Sequence, residues 1–125
     1  MNLIFDTSII IDIERGNKDT IDKIRELKDL YPAPAKITFI SYFEFVHGIR
    51  NKMPKNKQKA IAFIEEFSVI QTTKATANNL SLLKNKYELP LADLLIASQV
   101  IETNNILVTK DNDFKNIEEM NKILI

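Results

Sequence analysis

Four acidic residues, Asp6, Glu44, Asp93 and Asp111, each stand where a strand-like run passes into a helix-like one, or one turn into a helix. The words around them are F-D-T-S from Phe5, S-Y-F-E-F-V-H-G-I from Ser41, L-P-L-A-D-L-L-I-A-S from Leu89 and L-V-T-K-D-N-D-F from Leu107. Carboxylates gathered at the ends of neighbouring strands repel one another, by about 4 kcal/mol per pair at roughly 4 Å and an effective dielectric of about 20. A divalent cation reverses the sign of that energy. With no cysteine and a single histidine in the chain, an all-carboxylate set favours a hard, oxygen-seeking ion such as Mg²⁺ or Mn²⁺ over zinc or copper. Mg²⁺ keeps several waters and is commonly held by one or two carboxylates plus substrate phosphate oxygens, so metal and a phosphate-bearing substrate are expected to assemble together. The lone histidine, His47, lies one helical turn beyond Glu44 and either lines that cleft or is a partly exposed helix residue.

The elements that must position these carboxylates alternate between strand and helix. Leu3-Ile4-Phe5 reads as a strand, after which Asp6-Thr7-Ser8 offers N-cap chemistry to a helix running to about Glu14 and stopped by Gly16-Asn17. Ile21, Ile24, Leu27 and Leu30 share one helical face, and Pro32 and Pro34 end that helix. A β-rich Ile37–Ile40 precedes a helix capped by Ser41, with Phe43, Val46 and Ile49 on one side. After a basic loop around Pro54, residues 58–67 look helical and Ser68-Val69-Ile70 form a short strand. Leu80, Leu83 and Tyr87 mark another helix, Leu91–Thr103 a strongly apolar one ended by Asn104-Asn105, Ile106–Thr109 the clearest strand and Lys122–Ile125 a last one. Strands joined through helices pair in parallel, which predicts an α/β fold: a central, mainly parallel sheet of four or five strands with helices on both faces. In such sheets ligands bind beyond the carboxyl ends of the strands, near the point where strand order reverses. Asp6 and Asp111 fall just after strands there, and Glu44 and Asp93 fall in the first turns of helices that could begin at the same edge, so the four could converge on one cleft.

Each acidic residue also has an ordinary explanation. Asp6 could simply start a helix, Asp93 complement a helix dipole and Asp111 form a turn. Glu44, between Tyr42-Phe43 and Phe45-Val46, and Asp93, between Leu91 and Leu94-Leu95-Ile96, resist that explanation because their segments are expected to be substantially buried.

A chain of 125 residues, 45% apolar and 27% charged, suffices for one core, so residues 1–125 are expected to form one domain. The absence of cysteine suits the cytoplasm, the N-terminus lacks a signal-peptide pattern, and no apolar run approaches the roughly 18 residues of a membrane span. With 17 basic and 17 acidic residues the chain has no global attraction to nucleic acid. A polyanion would be held by metal or by a local patch, for which the segment from Arg50 to Lys59, five basic residues in ten, is either a candidate or a solvated loop and helix start.

The four words, in this order, resemble the PIN domain, and most closely its VapC-type toxins of prokaryotic toxin–antitoxin pairs. D-T-S-I-I-I-D-I-E-R-G from Asp6 is similar to that family's opening, E-F-V-H-G-I from Glu44 to its E-L-x-x-G-I element with Phe45 in place of leucine, L-A-D-L-L-I-A-S from Leu91 to its central D-x-x-I-A segment, and L-V-T-K-D-N-D-F from Leu107 to its closing T-x-D-x-D-F element. The resemblance implies a PIN-like three-layer sandwich and a metal-dependent endoribonuclease that hydrolyses RNA phosphodiester bonds with Mg²⁺ or Mn²⁺, water attacking the phosphate in line. It makes Asp6 and Asp93 the core metal ligands, joined by Glu44 and by Asp111, with Asp113 a supporting or alternative ligand. Ser8 and Thr109 become hydroxyls for carboxylate or phosphate, or plain capping and strand-end residues; Arg50 and Lys52 become substrate contacts; Asp12 a solvated or supporting residue. It further implies a homodimer and a cognate antitoxin that covers the acidic cleft with a basic side chain among the carboxylates. Two other readings keep the fold: a PIN ribonuclease of RNA processing, and a noncatalytic RNA- or protein-binding module, against which the intact acidic set argues. A phosphotransfer enzyme or receiver domain fits poorly, since Ser8 stands where a second aspartate is needed and no acidic pair ends the first strand.

Overall fold

The computed structural model describes all residues, Met1–Ile125. In chain order the elements are β1 (Leu3–Phe5), α1 (Thr7–Glu14), α2 (Lys18–Leu30), β2 (Lys36–Thr38), α3 (Phe39–Gly48), α4 (Pro54–Glu65), β3 (Ser68–Ile70), α5 (Lys74–Lys86), α6 (Leu91–Glu102), β4 (Ile106–Thr109), a 3₁₀ turn (Asn112–Phe114) and β5 (Asn121–Leu124). The five strands form one parallel sheet in the order β3-β2-β1-β4-β5. The chain winds outward from β1 through β2 to β3, then crosses back through α5 and α6 to place β4 on the other side of β1. Strand order therefore reverses between β1 and β4, which pair Leu3 with Ile106 and Phe5 with Val108.

Strand alternation sorts the core into two layers. Leu3, Phe5, Ile106 and Val108 face α1 to α4, meeting Ile9, Ile10, Ile24, Phe45, Ile49 and Ile64. Ile4 and Leu107 face the other way, against Leu83, Leu94, Ile96, Ala97 and Val100 of α5 and α6 and against Phe114, Ile117 and Met120. This is the expected three-layer α/β sandwich. No helix is long and apolar enough to cross a membrane.

Local signals explain most boundaries. Gly16, at φ +76°, takes the left-handed conformation that ends α1, and Asn17 caps α2 by accepting from the Thr20 amide at 3.2 Å. Asn104, at φ 54°, ends α6 in the same conformation. Three boundaries depart from the sequence reading. β2 stops at Thr38, whose hydroxyl caps α3 by accepting from the Ser41 amide at 3.3 Å, so Phe39 and Ile40 are helical and Ser41 is not the cap. α4 begins at Pro54, a residue well suited to the first helical position, so much of the expected basic loop is helix. α5 begins at Lys74 behind a reciprocal Thr73–Thr76 capping box, several residues before its first marked apolar position. The buried side of α3 also differs: Ser41, Phe45 and Ile49 face the core, whereas Phe43 and Val46 are exposed.

Candidate metal centre

The carboxyl edge of the sheet brings the acidic residues together at the β1/β4 reversal. Asp6 follows β1 directly and is buried at 6% exposure. It caps α1 by accepting from the Thr7 amide at 2.7 Å, and its second oxygen accepts from the Thr109 hydroxyl at 2.6 Å. The Ser8 hydroxyl lies 3.4 Å from that same oxygen. Thr109, fully buried at the end of β4, also accepts from the Asp111 amide at 3.0 Å. One hydroxyl thus sets the spacing between Asp6 and the chain that carries Asp111. Asp111 then accepts from the Asp113 amide at 2.9 Å, capping the 3₁₀ turn.

Asp93 enters from the first turn of α6 and is half-buried. Its donor oxygen and those of Asp111 and Asp113 all lie within 4.8 Å of one another. Asp6 and Glu44 stand outside this trio but close enough to be felt by it. Burial, then Asp111, Asp6, Asp113 and Glu44 in that order, push the Asp93 carboxyl up to about 6. The helix dipole at the start of α6 favours the ionised form by about 0.3–1 kcal/mol, which is too small to offset burial and four like charges. Asp6 is likewise raised, mainly by burial and against the Thr109 and Thr7 hydrogen bonds, with Asp111 adding repulsion.

Glu44 is placed through a link that the local words do not contain. The Thr7 hydroxyl donates to Glu44 Oε1 at 2.7 Å and lies 2.9 Å from Ser41 Oγ, tying the start of α1 to α3. Glu44 itself is exposed, contrary to the burial expected from its aromatic neighbours, because those neighbours divide between the core (Phe45) and solvent (Phe43). Thr7 and Ser41 were not among the expected site residues, and nothing local marks a hydroxyl for a partner 37 positions away. His47 stacks on Phe43 at 5.6 Å between ring centroids, on an exposed part of α3. Arg50 donates to the His47 carbonyl at 2.6 Å and Lys52 pairs with Glu14 at 3.2 Å, so neither reaches the carboxylates. Asp12 accepts from Lys110 at 2.7 Å and from the Thr20 hydroxyl at 2.6 Å, and the Lys110 bond chiefly holds its carboxyl below the usual range.

No lysine, arginine or histidine forms an ion pair with Asp6, Glu44, Asp93, Asp111 or Asp113. Five carboxylates without a counter-ion, three of them with converging oxygens, fit a hard divalent cation and no soft one. Beside them, a groove between α1 and α3 is lined by Ile11, Phe45 and Ile49 and flanked by Glu14, Glu44 and Lys52.

A parallel sheet reversing at β1 and β4, with carboxylates from β1, α3, α6 and the turn after β4 at its carboxyl edge, is the arrangement of the PIN domain, and the chain belongs to that family, whose sequence model matches residues 3–120. Among individual proteins it is similar to Ribonuclease VapC3 of Methanocaldococcus jannaschii, with 34% identity over 100 residues that span 78% of this chain and 97% of the relative. Its fold is that of VapBC2 from Rickettsia felis bound to a DNA fragment from their promoter, at TM-score 0.85 and 21% identity, covering 100% of this chain and 99% of the other. A toxin–antitoxin complex from Klebsiella pneumoniae gives TM-score 0.80 and 22% identity over 98% of this chain and 96% of the other.

Proposed function

We propose that this chain is a metal-dependent endoribonuclease and the toxin of a toxin–antitoxin pair. The observation that carries the reading is the convergence of Asp93, Asp111 and Asp113 within 4.8 Å, backed by Asp6 and Glu44 and with no basic side chain to neutralise them. Similarity to a ribonuclease over most of both chains supports the reaction, and similarity of fold to toxin–antitoxin complexes supports the partner.

Asp93, Asp111 and Asp113 would hold a Mg²⁺ or Mn²⁺ ion, with Asp6 and Glu44 adding negative charge from the β1 and α3 sides. Such an ion, when bound, supplies Lewis-acid polarisation of the scissile phosphate and a lowered pKa for the attacking water. The chain contributes rigidity: Thr109 fixes Asp6 against Asp111, and Thr7 fixes Glu44 against α1, so the carboxylates do not have to reorganise when a substrate phosphate arrives. Arg50 and the lysines Lys55, Lys57 and Lys59 of α4 would attract the RNA backbone in a salt-dependent way. We place the protein in the cytoplasm as one functional unit of residues 1–125. An antitoxin segment would lie in the α1/α3 groove, apolar side chains on Ile11, Phe45 and Ile49 and a basic one toward Glu44. The exposed Phe43 and Val46 of α3 support a homodimer.

The test is incubation of the purified chain with total and structured RNAs in Mg²⁺, Mn²⁺ or EDTA, beside Asp93→Asn prepared identically. Cleavage that requires the ion and disappears in the variant is the expected result. A wild-type chain that binds no divalent ion would sink the catalytic reading and leave the binding module.

A further inference from the structure

Lys110 occupies an electrostatically odd position. Its chain neighbours are Thr109, whose hydroxyl donates to Asp6, and Asp111, so it is bracketed by the acidic cluster. Five carboxylates there lack a cationic partner, and a lysine on a flexible four-carbon stem is the nearest charge in sequence that could supply one. Its ammonium instead lies 2.7 Å from Asp12 in the second turn of α1. That same Asp12 oxygen accepts the Thr20 hydroxyl of α2 at 2.6 Å, and its side chain is only 19% exposed. β4 ends at Thr109, and from the bend that follows Lys110 reaches Asp12 of α1 while the next residue, Asp111, converges on Asp93 of α6.

We propose that Asp12 is a positioning residue that parks Lys110 on the α1 face and so keeps its ammonium out of the acidic cluster, leaving the cluster to a divalent cation. The inference rests on the reading of the cluster as a cation site. Ammonium and metal compete for one region of negative potential, and a tethered ammonium needs no diffusion to reach it. Asp12 outcompetes the cluster for Lys110 because it is already fixed by Thr20 and stands on the face toward which Lys110 emerges. α1 is thereby pinned to the end of β4 twice, by Asp6 to Thr109 and by Asp12 to Lys110.

Mn²⁺ binding to the full chain, measured by titration calorimetry without RNA, separates this role from simple bracing. Asp12→Asn keeps an oxygen for Thr20 and removes the charge. It is expected to weaken Mn²⁺ binding by about three- to fivefold, the scale of one solvent-exposed ion interaction. Adding Lys110→Met to that variant is expected to restore affinity to within about twofold of wild type. Lys110→Met alone is expected to bind as tightly as wild type or more tightly, and this arm stands even if Asp12→Asn does not fold. Bracing predicts the opposite pattern, with Lys110→Met as weak as Asp12→Asn and no restoration in the pair, and that result would overturn the proposal. So would an Asp12→Asn affinity equal to wild type, while the cation site itself survived. A wild-type chain that binds no Mn²⁺ overturns the cation site and this proposal together.

Discussion

Asp93→Asn should do more than abolish cleavage: it should stabilise the metal-free protein near pH 7.5. Burial and four neighbouring carboxylates raise the Asp93 carboxyl from 3.8 to about 6. A rise of that size corresponds to about 3 kcal/mol of repulsion and lost hydration in the ionised form. Asp93 is only half-buried and Asp113 and Glu44 are exposed, so solvent and salt screening reduce the recoverable part to about 1 kcal/mol. Because the folded-state value lies above the unfolded one, folded protein binds this proton more tightly. The associated stability is fully present below pH 3.8 and is lost as the pH rises through about 6. Asparagine removes the charge without removing a hydrogen bond, since none contributes at Asp93. Thermal unfolding in EDTA, followed by circular dichroism, should therefore show the variant melting roughly 3–5 °C above wild type near pH 7.5, with the gap shrinking toward about pH 5. Saturating Mn²⁺ should reverse the order, because a ligand at about a hundred times its Kd stabilises the protein that binds it by about 2.7 kcal/mol. A variant no more stable than wild type in EDTA near pH 7.5, with a gap that does not depend on pH, would refute the repulsion argument.

Thr109→Val removes the hydroxyl that donates to Asp6 and accepts from the Asp111 amide, inside the protein, and should lower unfolding stability by about 1–3 kcal/mol in urea titrations while reducing RNA cleavage. Gly16→Ala should destabilise by about 1–2 kcal/mol in the same assay, because φ is +76° there although the space for a methyl group is open. Phe43→Glu, at a half-exposed position on α3, tests the proposed homodimer: it should leave the fold intact by circular dichroism and lower the sedimentation coefficient from that of a dimer to that of a monomer, and a wild-type chain that sediments as a monomer would refute the dimer.

Asp6, Asp93 and Asp111 were legible as candidates because each depends on a local handover, whereas Glu44 does not. Phe5 to Asp6 is the end of a strand and the cap of a helix, Asp93 follows Pro90 in the first turn of α6, and Asp111 follows β4 by two residues. Each of those features is written within four or five positions. What joins them is not. Thr7 reaches Glu44 across 37 positions and Thr109 reaches Asp6 across 103, and only the strand order makes them neighbours. The sequence left Asp111 and Asp113 as alternatives because it could not show the cap geometry, in which an extended Asp111 accepts from the Asp113 amide and an oxygen of each comes within 4.8 Å of Asp93.

The face of α3 failed for a different reason. Phe43-Val46-Ile49 and Ser41-Phe45-Ile49 are both helical stripes, and hydrophobicity alone favours the first. The fold buries the second: Phe45 and Ile49 join the core with Ser41 beside Thr7, and Phe43 and Val46 are left outside. An exposed apolar stripe therefore lies on the helix that carries Glu44. Periodicity identifies surfaces that are apolar; it does not separate those a fold buries from those it leaves outside, and in α3 the packing of Phe45 and Ile49 into the core decides between them.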